Sequence, residues 1–203
     1  YKTADKIITV GNGLKKEIEK LAGRNDIEVI GNLVDLSLFD IRNVKKENND
    51  FTFFSVAFLE GEKGFDTLIK SFAKVYKNKN VKLVIGGDGS QKEWLKGIAK
   101  ENGVEPQVLF TGALSREEVA SWMNKCDIFV LPSRYETFGV VYIEALASGK
   151  PVIATFNGGA EDIINEEVGV LVEIDNVNKL AQAMEKVREN YSKYNPESLR
   201  DYC

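Results

Sequence analysis

From residue 51 onward, short apolar runs and longer amphipathic stretches take turns along the chain. The apolar runs predict strands at 52–57, 81–85, 107–111, 127–131, 151–155 and 169–172. Helical spacing predicts helices at 65–77, 90–102, 115–125, 139–148 and 160–165, and a longer one at 176–193. Strands such as Val81-Lys82-Leu83-Val84-Ile85 and Asp127-Ile128-Phe129-Val130-Leu131, separated by helices, call for a parallel sheet covered on both faces. The expected fold class is α/β: a doubly wound, Rossmann-like parallel sheet. Ligands of such sheets bind beyond the carboxyl ends of the strands, where loops run into helix N-termini.

The first fifty residues follow a different rhythm. Asp5–Val10 predicts a short strand closed by Gly11-Asn12-Gly13, and Leu14, Ile18 and Leu21 mark one face of a helix at 14–21. A second short strand at 27–30 leads into Gly31-Asn32-Leu33-Val34-Asp35-Leu36-Ser37-Leu38-Phe39. The polar stretch Lys45–Asp50 predicts a surface loop. The chain therefore divides into residues 1–40 and a larger unit, 41–203.

Composition narrows the chemistry. The 203 residues are 43% hydrophobic and 29% charged, as expected of a globular protein with a real core, and the net charge of −4 does not suggest a nucleic-acid partner. No apolar run reaches the roughly 18 residues of a membrane span, and the N-terminus lacks a signal-peptide pattern, so a cytoplasmic location is expected. Two cysteines, Cys126 and Cys203, without CxxC spacing give neither a disulfide framework nor a metal site. Histidine is absent, which removes Ser/His and Cys/His nucleophile pairs and the commonest metal ligand.

The loops after the predicted strands hold the candidate chemistry. They read Leu59-Glu60-Gly61-Glu62-Lys63-Gly64, Gly86-Gly87-Asp88-Gly89, Gly112-Ala113-Leu114, Pro132-Ser133-Arg134-Tyr135-Glu136 and Phe156-Asn157-Gly158-Gly159. Nearly all glycines that could let backbone approach a ligand fall on this one edge. Lys63 precedes a helix N-terminus, where the helix dipole disfavours a cation unless an anion sits between them; it is a phosphate clamp or a solvated loop lysine. Gly139 opens a helix whose first amides, at Gly139, Val140 and Val141, form an anion site or a simple loop-to-helix turn. The dinucleotide fingerprint fails, because its third glycine would fall on Lys92.

Two carboxylates bracket that helix start. Val140–Ala147 is apolar at nearly every angle, so Glu144 lies on a helix with no wet face and needs a polar partner: a backbone amide, an arginine elsewhere in the fold, or a ligand. Beside a pyrophosphate, Glu136 and Glu144 would repel the phosphates but would accept charge-assisted hydrogen bonds from hydroxyls. A nucleotide sugar supplies hydroxyls on both sides of its pyrophosphate, ribose on one and hexose on the other.

The segment SRYETFGVVYIEALASGKPVIATFNGGAEDII, with Glu136 and Glu144 eight positions apart, resembles the donor-binding signature of retaining family 4 glycosyltransferases of GT-B fold. ADKIITV resembles the end of that family's N-terminal domain, IGNLVDLSLF its interdomain linker, and residues 51–193 its nucleotide-sugar domain. The resemblance implies that Glu144 binds ribose hydroxyls and that Glu136, at the catalytic centre, binds hexose hydroxyls rather than acting as an acid or base. It implies that Phe138, Gly139, Val140 and Val141 present amides to the sugar and pyrophosphate, that Lys63 meets the diphosphate, and that the backbone at Leu114 touches the base. It implies metal-independent, cofactor-free transfer with retention from a UDP- or GDP-linked sugar. The acceptor would be a polysaccharide or glycolipid met through the N-terminal domain, at the inner face of a membrane if the whole protein associates peripherally.

Two departures stand out. The family pattern has an arginine where this chain has Phe58, leaving Arg134 as a candidate replacement cation, and most of the N-terminal domain is absent, so residues 1–203 alone are expected to bind donor but transfer almost nothing. Phe58 also motivates an alternative, a non-catalytic nucleotide-sugar-binding homologue with a regulatory or assembly role. Epimerases of the same fold fit less well, since their carboxylate and histidine patterns are not found.

Overall fold

The alternating runs do assemble into one parallel sheet. The computed structural model describes residues 3–41 and 50–203, and residues 45–49 of the predicted surface loop lie outside them. The sheet is built from β3 (Phe51–Val56), β4 (Val81–Gly86), β5 (Val108–Gly112), β6 (Ile128–Leu131), β7 (Val152–Thr155) and β8 (Gly169–Val172), in the order β5-β4-β3-β6-β7-β8. All five neighbouring pairs are parallel. β6 and β7 are buried along their whole length, as strands covered on both faces must be.

Helix α2 (Phe65–Tyr76) packs against α3 (Lys92–Glu101) and α6 (Val177–Glu189), while α4 (Arg116–Lys125) and α5 (Val140–Ala147) pack together. The first crossovers build outward from β3 through β4 to β5. The chain then returns to the other side of β3 and continues through β6, β7 and β8. Strand order thus reverses between β3 and β6, the switch point beyond whose carboxyl ends doubly wound sheets form their ligand crevice.

Residues 7–29 form a smaller unit. β1 (Ile7–Thr9) and β2 (Ile27–Val29) pair in parallel beside α1 (Asn12–Ala22), and Ile7, Ile18, Ala22 and Ile27 make a separate small core. Phe39, from the segment after β2, is fully buried in the main core instead.

Two expectations differ from the structure. Residues 160–165 do not form a helix: a short 3-10 turn, Ala160–Asp162, takes their place. There Asn157 Oδ1 accepts from the amides of Gly159 and Ala160, and the Glu161 carboxylate accepts from Gly158 and Asn157, so side chains capture the amides before a helix can propagate. The long helix at 176–193 ends earlier, at Glu189, and is followed by a 3-10 turn and a separate helix, α7 (Pro196–Tyr202). Its signal was present in the sequence: Asn195 caps the amide of Ser198 and Pro196 opens the first turn.

Candidate donor site

The two loops that flank the crevice meet directly. After β3, a 3-10 turn at Gly61–Lys63 ends on Gly64, whose left-handed backbone (φ 67°) turns the chain into α2. After β6, Ser133 and Glu136 enter the same space. Lys63 Nζ lies 3.0 Å from Glu136 Oε1, and Ser133 Oγ donates to the same oxygen at 2.8 Å. The Glu136 amide donates to the carbonyl of Asn157 at 3.0 Å, which fixes the loop against the end of β7.

Gly139 caps α5 in the left-handed region (φ 88°), where a Cβ would fall 2.4 Å from the Tyr142 ring. Among the described residues no side chain caps α5, and no acidic residue lies in its first turn, so the amides of Val140 and Val141 open the helix without a partner among them. Tyr142 locks this geometry. Its buried hydroxyl donates to the Leu131 carbonyl at 3.1 Å and accepts from Asn157 Nδ2 at 3.0 Å, joining α5 to the ends of β6 and β7. Burial pushes its phenol well above the usual range, so it stays protonated.

One turn further along α5, Glu144 is 7% exposed, and its partner is an arginine from elsewhere in the fold. Arg116, at the start of α4, donates to Glu144 Oε1 at 3.0 Å. Burial raises the Glu144 carboxyl above its ordinary value and Arg116 pulls it back only in part. Leu114, just upstream, is half-buried, with a methyl group against the position of Gly86. Phe138 is buried, and its ring packs against Gly31.

Arg134 does not replace the cation missing at Phe58. Its guanidinium is spent on Asp66 (2.9 Å), Asp175 (2.7 Å) and the Gly61 carbonyl. Burial works against the Asp66 charge, but the bond and field of Arg134, with the Lys70 charge and the Thr67 amide, hold the carboxyl below its ordinary value. Phe58 itself is 78% exposed. Among the described residues no group of three or more Asp, Glu or Cys could hold a metal ion.

Sequence reasoning singled out Lys63, Glu136, Gly139, Val140, Val141 and Glu144, and the structure gathers them around one helix start and its facing turn. It missed Ser133, Asn157 and Arg116. Ser133, three residues before Glu136, could have been suspected from spacing; nothing in the sequence ties Arg116 to a carboxylate 28 positions away. The first turn of α1 also reaches this edge: Asn12 donates to Asp162 from its amide (2.5 Å) and its side chain (3.1 Å). A cavity of about 640 Å³ along β8, lined by Phe156, Ile164, Lys186 and Tyr194, holds none of these groups.

The family profile described as glycosyl transferases group 1 matches residues 37–201. The chain belongs to the group 1 glycosyltransferases. Its sheet is the Rossmann-like half of a GT-B architecture. An uncharacterized glycosyltransferase of Methanocaldococcus jannaschii is 30% identical over 199 residues, covering 91% of this chain and 51% of the relative. Glycogen synthase of Mycobacterium tuberculosis is 31% identical over 191 residues, covering 92% and 46%. The chain thus spans about half the length of these glycosyltransferases. Among solved structures, Anabaena HepE in complex with UDP and glucose superposes with a TM-score of 0.84 at 23% identity, covering 97% of this chain and 58% of that one, a likeness of fold.

Proposed function

We propose that this glycosyltransferase chain holds a nucleoside-diphosphate sugar at the crevice between β3 and β6. The observation that carries the reading is the Lys63–Glu136 pair at 3.0 Å beside the uncapped start of α5. Each partner occupies the place of the other's ligand. A diphosphate drawn to the α5 amides would take Lys63, and hexose hydroxyls would take the released Glu136 carboxylate. Glu144 would receive the ribose, and the backbone near Leu114 the base. The two glutamates then measure the donor from end to end and position it rather than exchange protons with it.

The transferase family and the resemblance of the signature support transfer with retention and without a metal. The whole protein would carry the sugar to a polysaccharide or glycolipid, with residues 1–40 ending an N-terminal domain and 41–203 forming the donor domain. Anabaena HepE, bound to UDP and glucose, and glycogen synthase lend the donor and polysaccharide readings support by analogy. Among the described residues no helix is long and apolar enough to cross a membrane. The whole protein would associate peripherally with the cytoplasmic face of a membrane.

Calorimetry with UDP- and GDP-sugars tests the donor. Binding of at least one is expected, and Lys63→Met should weaken it by at least about tenfold, since hydrogen bonds to charged groups contribute about 1.5–3 kcal/mol. A folded chain that binds no nucleotide sugar overturns the reading.

One observation favours the second reading, a non-catalytic binder: Phe58 is exposed and Arg134 is engaged elsewhere, so the described site offers the diphosphate one ammonium. Phe58→Arg distinguishes the two. A gain in donor affinity of about tenfold or more marks a site that has lost a clamp, whereas unchanged affinity means the helix start and Lys63 suffice.

A further inference from the structure

We infer that Arg116 is a positioning residue for the donor site, holding Glu144 by one carboxylate oxygen and tying it to the linker through the Phe39 ring. The inference rests on the reading of Glu144 as the ribose carboxylate.

The geometry points this way from three sides. Glu144 sits on a helix whose other residues from Tyr142 to Ala147 are buried and apolar, so nothing on α5 itself can satisfy it. Arg116 approaches from α4 and bonds Oε1 at 3.0 Å, with no bond to Oε2. The guanidinium carbon lies 5.4 Å over the ring of Phe39, a linker residue with no solvent exposure. A cation stacked on a rigid, buried ring has its direction set before it meets the carboxylate.

The surrounding charges leave Arg116 alone in this role. Asp35, from the linker, feels the Arg116 charge but spends its carboxylate on the amides of Ser37 and Leu38 and on the Ser37 hydroxyl. Arg200, from α7, is turned to the carbonyls of Phe39, Ala147 and Leu36 and to Asp40. At the far end of α5, Lys63 is engaged with Glu136. Asp162, from the 3-10 turn after β7, is engaged with Asn12. Arg116 is therefore the one cation on Glu144 among the described residues.

The chemistry gives the arrangement a purpose. Ribose hydroxyls are donors, and they bond best to an ionised acceptor. Burial alone would favour the protonated acid, which accepts poorly and would present a hydroxyl to a hydroxyl. A guanidinium on one oxygen favours the ionised form against burial and leaves the other oxygen for the ligand. Because that guanidinium rests on the linker, a change in linker position is felt at Glu144.

The test compares wild type, Arg116→Gln and Arg116→Lys. A UDP- or GDP-sugar that binds wild type is the probe, because its bridged diphosphate does not titrate near neutrality. For Arg116→Gln the affinity deficit should grow as pH falls and reach about tenfold, as Glu144 takes up its proton earlier. Arg116→Lys should restore most of the wild-type profile, and it keeps the comparison usable if the glutamine variant is too weakly folded. Carboxyl-carbon NMR of the ligand-free chain should show Glu144 titrating at higher pH in the glutamine variant. If wild type binds donor and the variants share its pH profile and its Glu144 titration, the inference fails. If wild type binds no nucleotide sugar, the donor reading fails, and the NMR titration still decides whether Arg116 holds Glu144 ionised.

Discussion

Replacing Gly64 with alanine is expected to cost the fold about 2–5 kcal/mol. The residue has φ 67° and ψ 22°, closing the 3-10 turn that carries Lys63 and starting α2. A side chain there enters a left-handed conformation, which costs about 1–2 kcal/mol. Its Cβ would also lie 2.1 Å from the Pro132 carbonyl oxygen, and pushing the two loops apart adds about 1–3 kcal/mol. The neighbour is backbone, so no rotamer change relieves the clash. Urea denaturation of the variant would read the loss directly. A cost below about 1 kcal/mol would mean that the β3 and β6 loops are not in the contact described, and with it would go the placement of Lys63 beside Glu136.

The second large effect has opposite signs in two measurements. Glu144→Gln should lower affinity for a nucleotide sugar at least about tenfold, because a charged acceptor of two hydroxyls becomes a neutral one. The same change should leave stability at neutral pH equal or higher. Burial holds the Glu144 carboxyl above its ordinary value despite Arg116. A group raised in this way contributes stability below its unfolded value, and that contribution is lost as pH rises through the folded one. Wherever it is ionised the side chain is therefore a net burden, which glutamine lacks, and the gap between the two proteins should close as pH falls. The partner left behind is no burden either, since the Arg116 side chain is 60% exposed and water can solvate it. Denaturation curves at several pH values, run beside calorimetry, separate the effects. A destabilised variant with unchanged affinity would make Glu144 a structural residue and remove it from the site.

Most of this was legible in the chain, for identifiable reasons. Fully apolar runs such as Ile128–Leu131 can be satisfied only in the middle of a covered parallel sheet, so strands and class follow from pattern. The carboxylates were conspicuous because Glu144 breaks an otherwise apolar helix. What pattern could not supply was anything decided by side chains far apart in sequence. Arg134 looked free to serve a phosphate, and only the approach of Asp66 and Asp175 shows where its charge goes. Arg116 carried no signal because it begins an ordinary capped helix, with Ser115 and Glu118 forming the capping box. The predicted helix at 160–165 failed for a local reason, the capture of amides by Asn157 and Glu161.

The Arg134 staple has one more consequence. By joining the Gly61 carbonyl, Asp66 at the start of α2 and Asp175 before α6, it fastens the Lys63 turn, the Glu136 loop and the β8–α6 connection into a single plate. A ligand that bridges Lys63 and Glu136 does not have to immobilise two independent loops, so the ordering entropy that usually weakens recognition by loops has been settled in folding. An arginine engaged away from the Lys63–Glu136 pair would still favour such a ligand, through the disorder it has already removed.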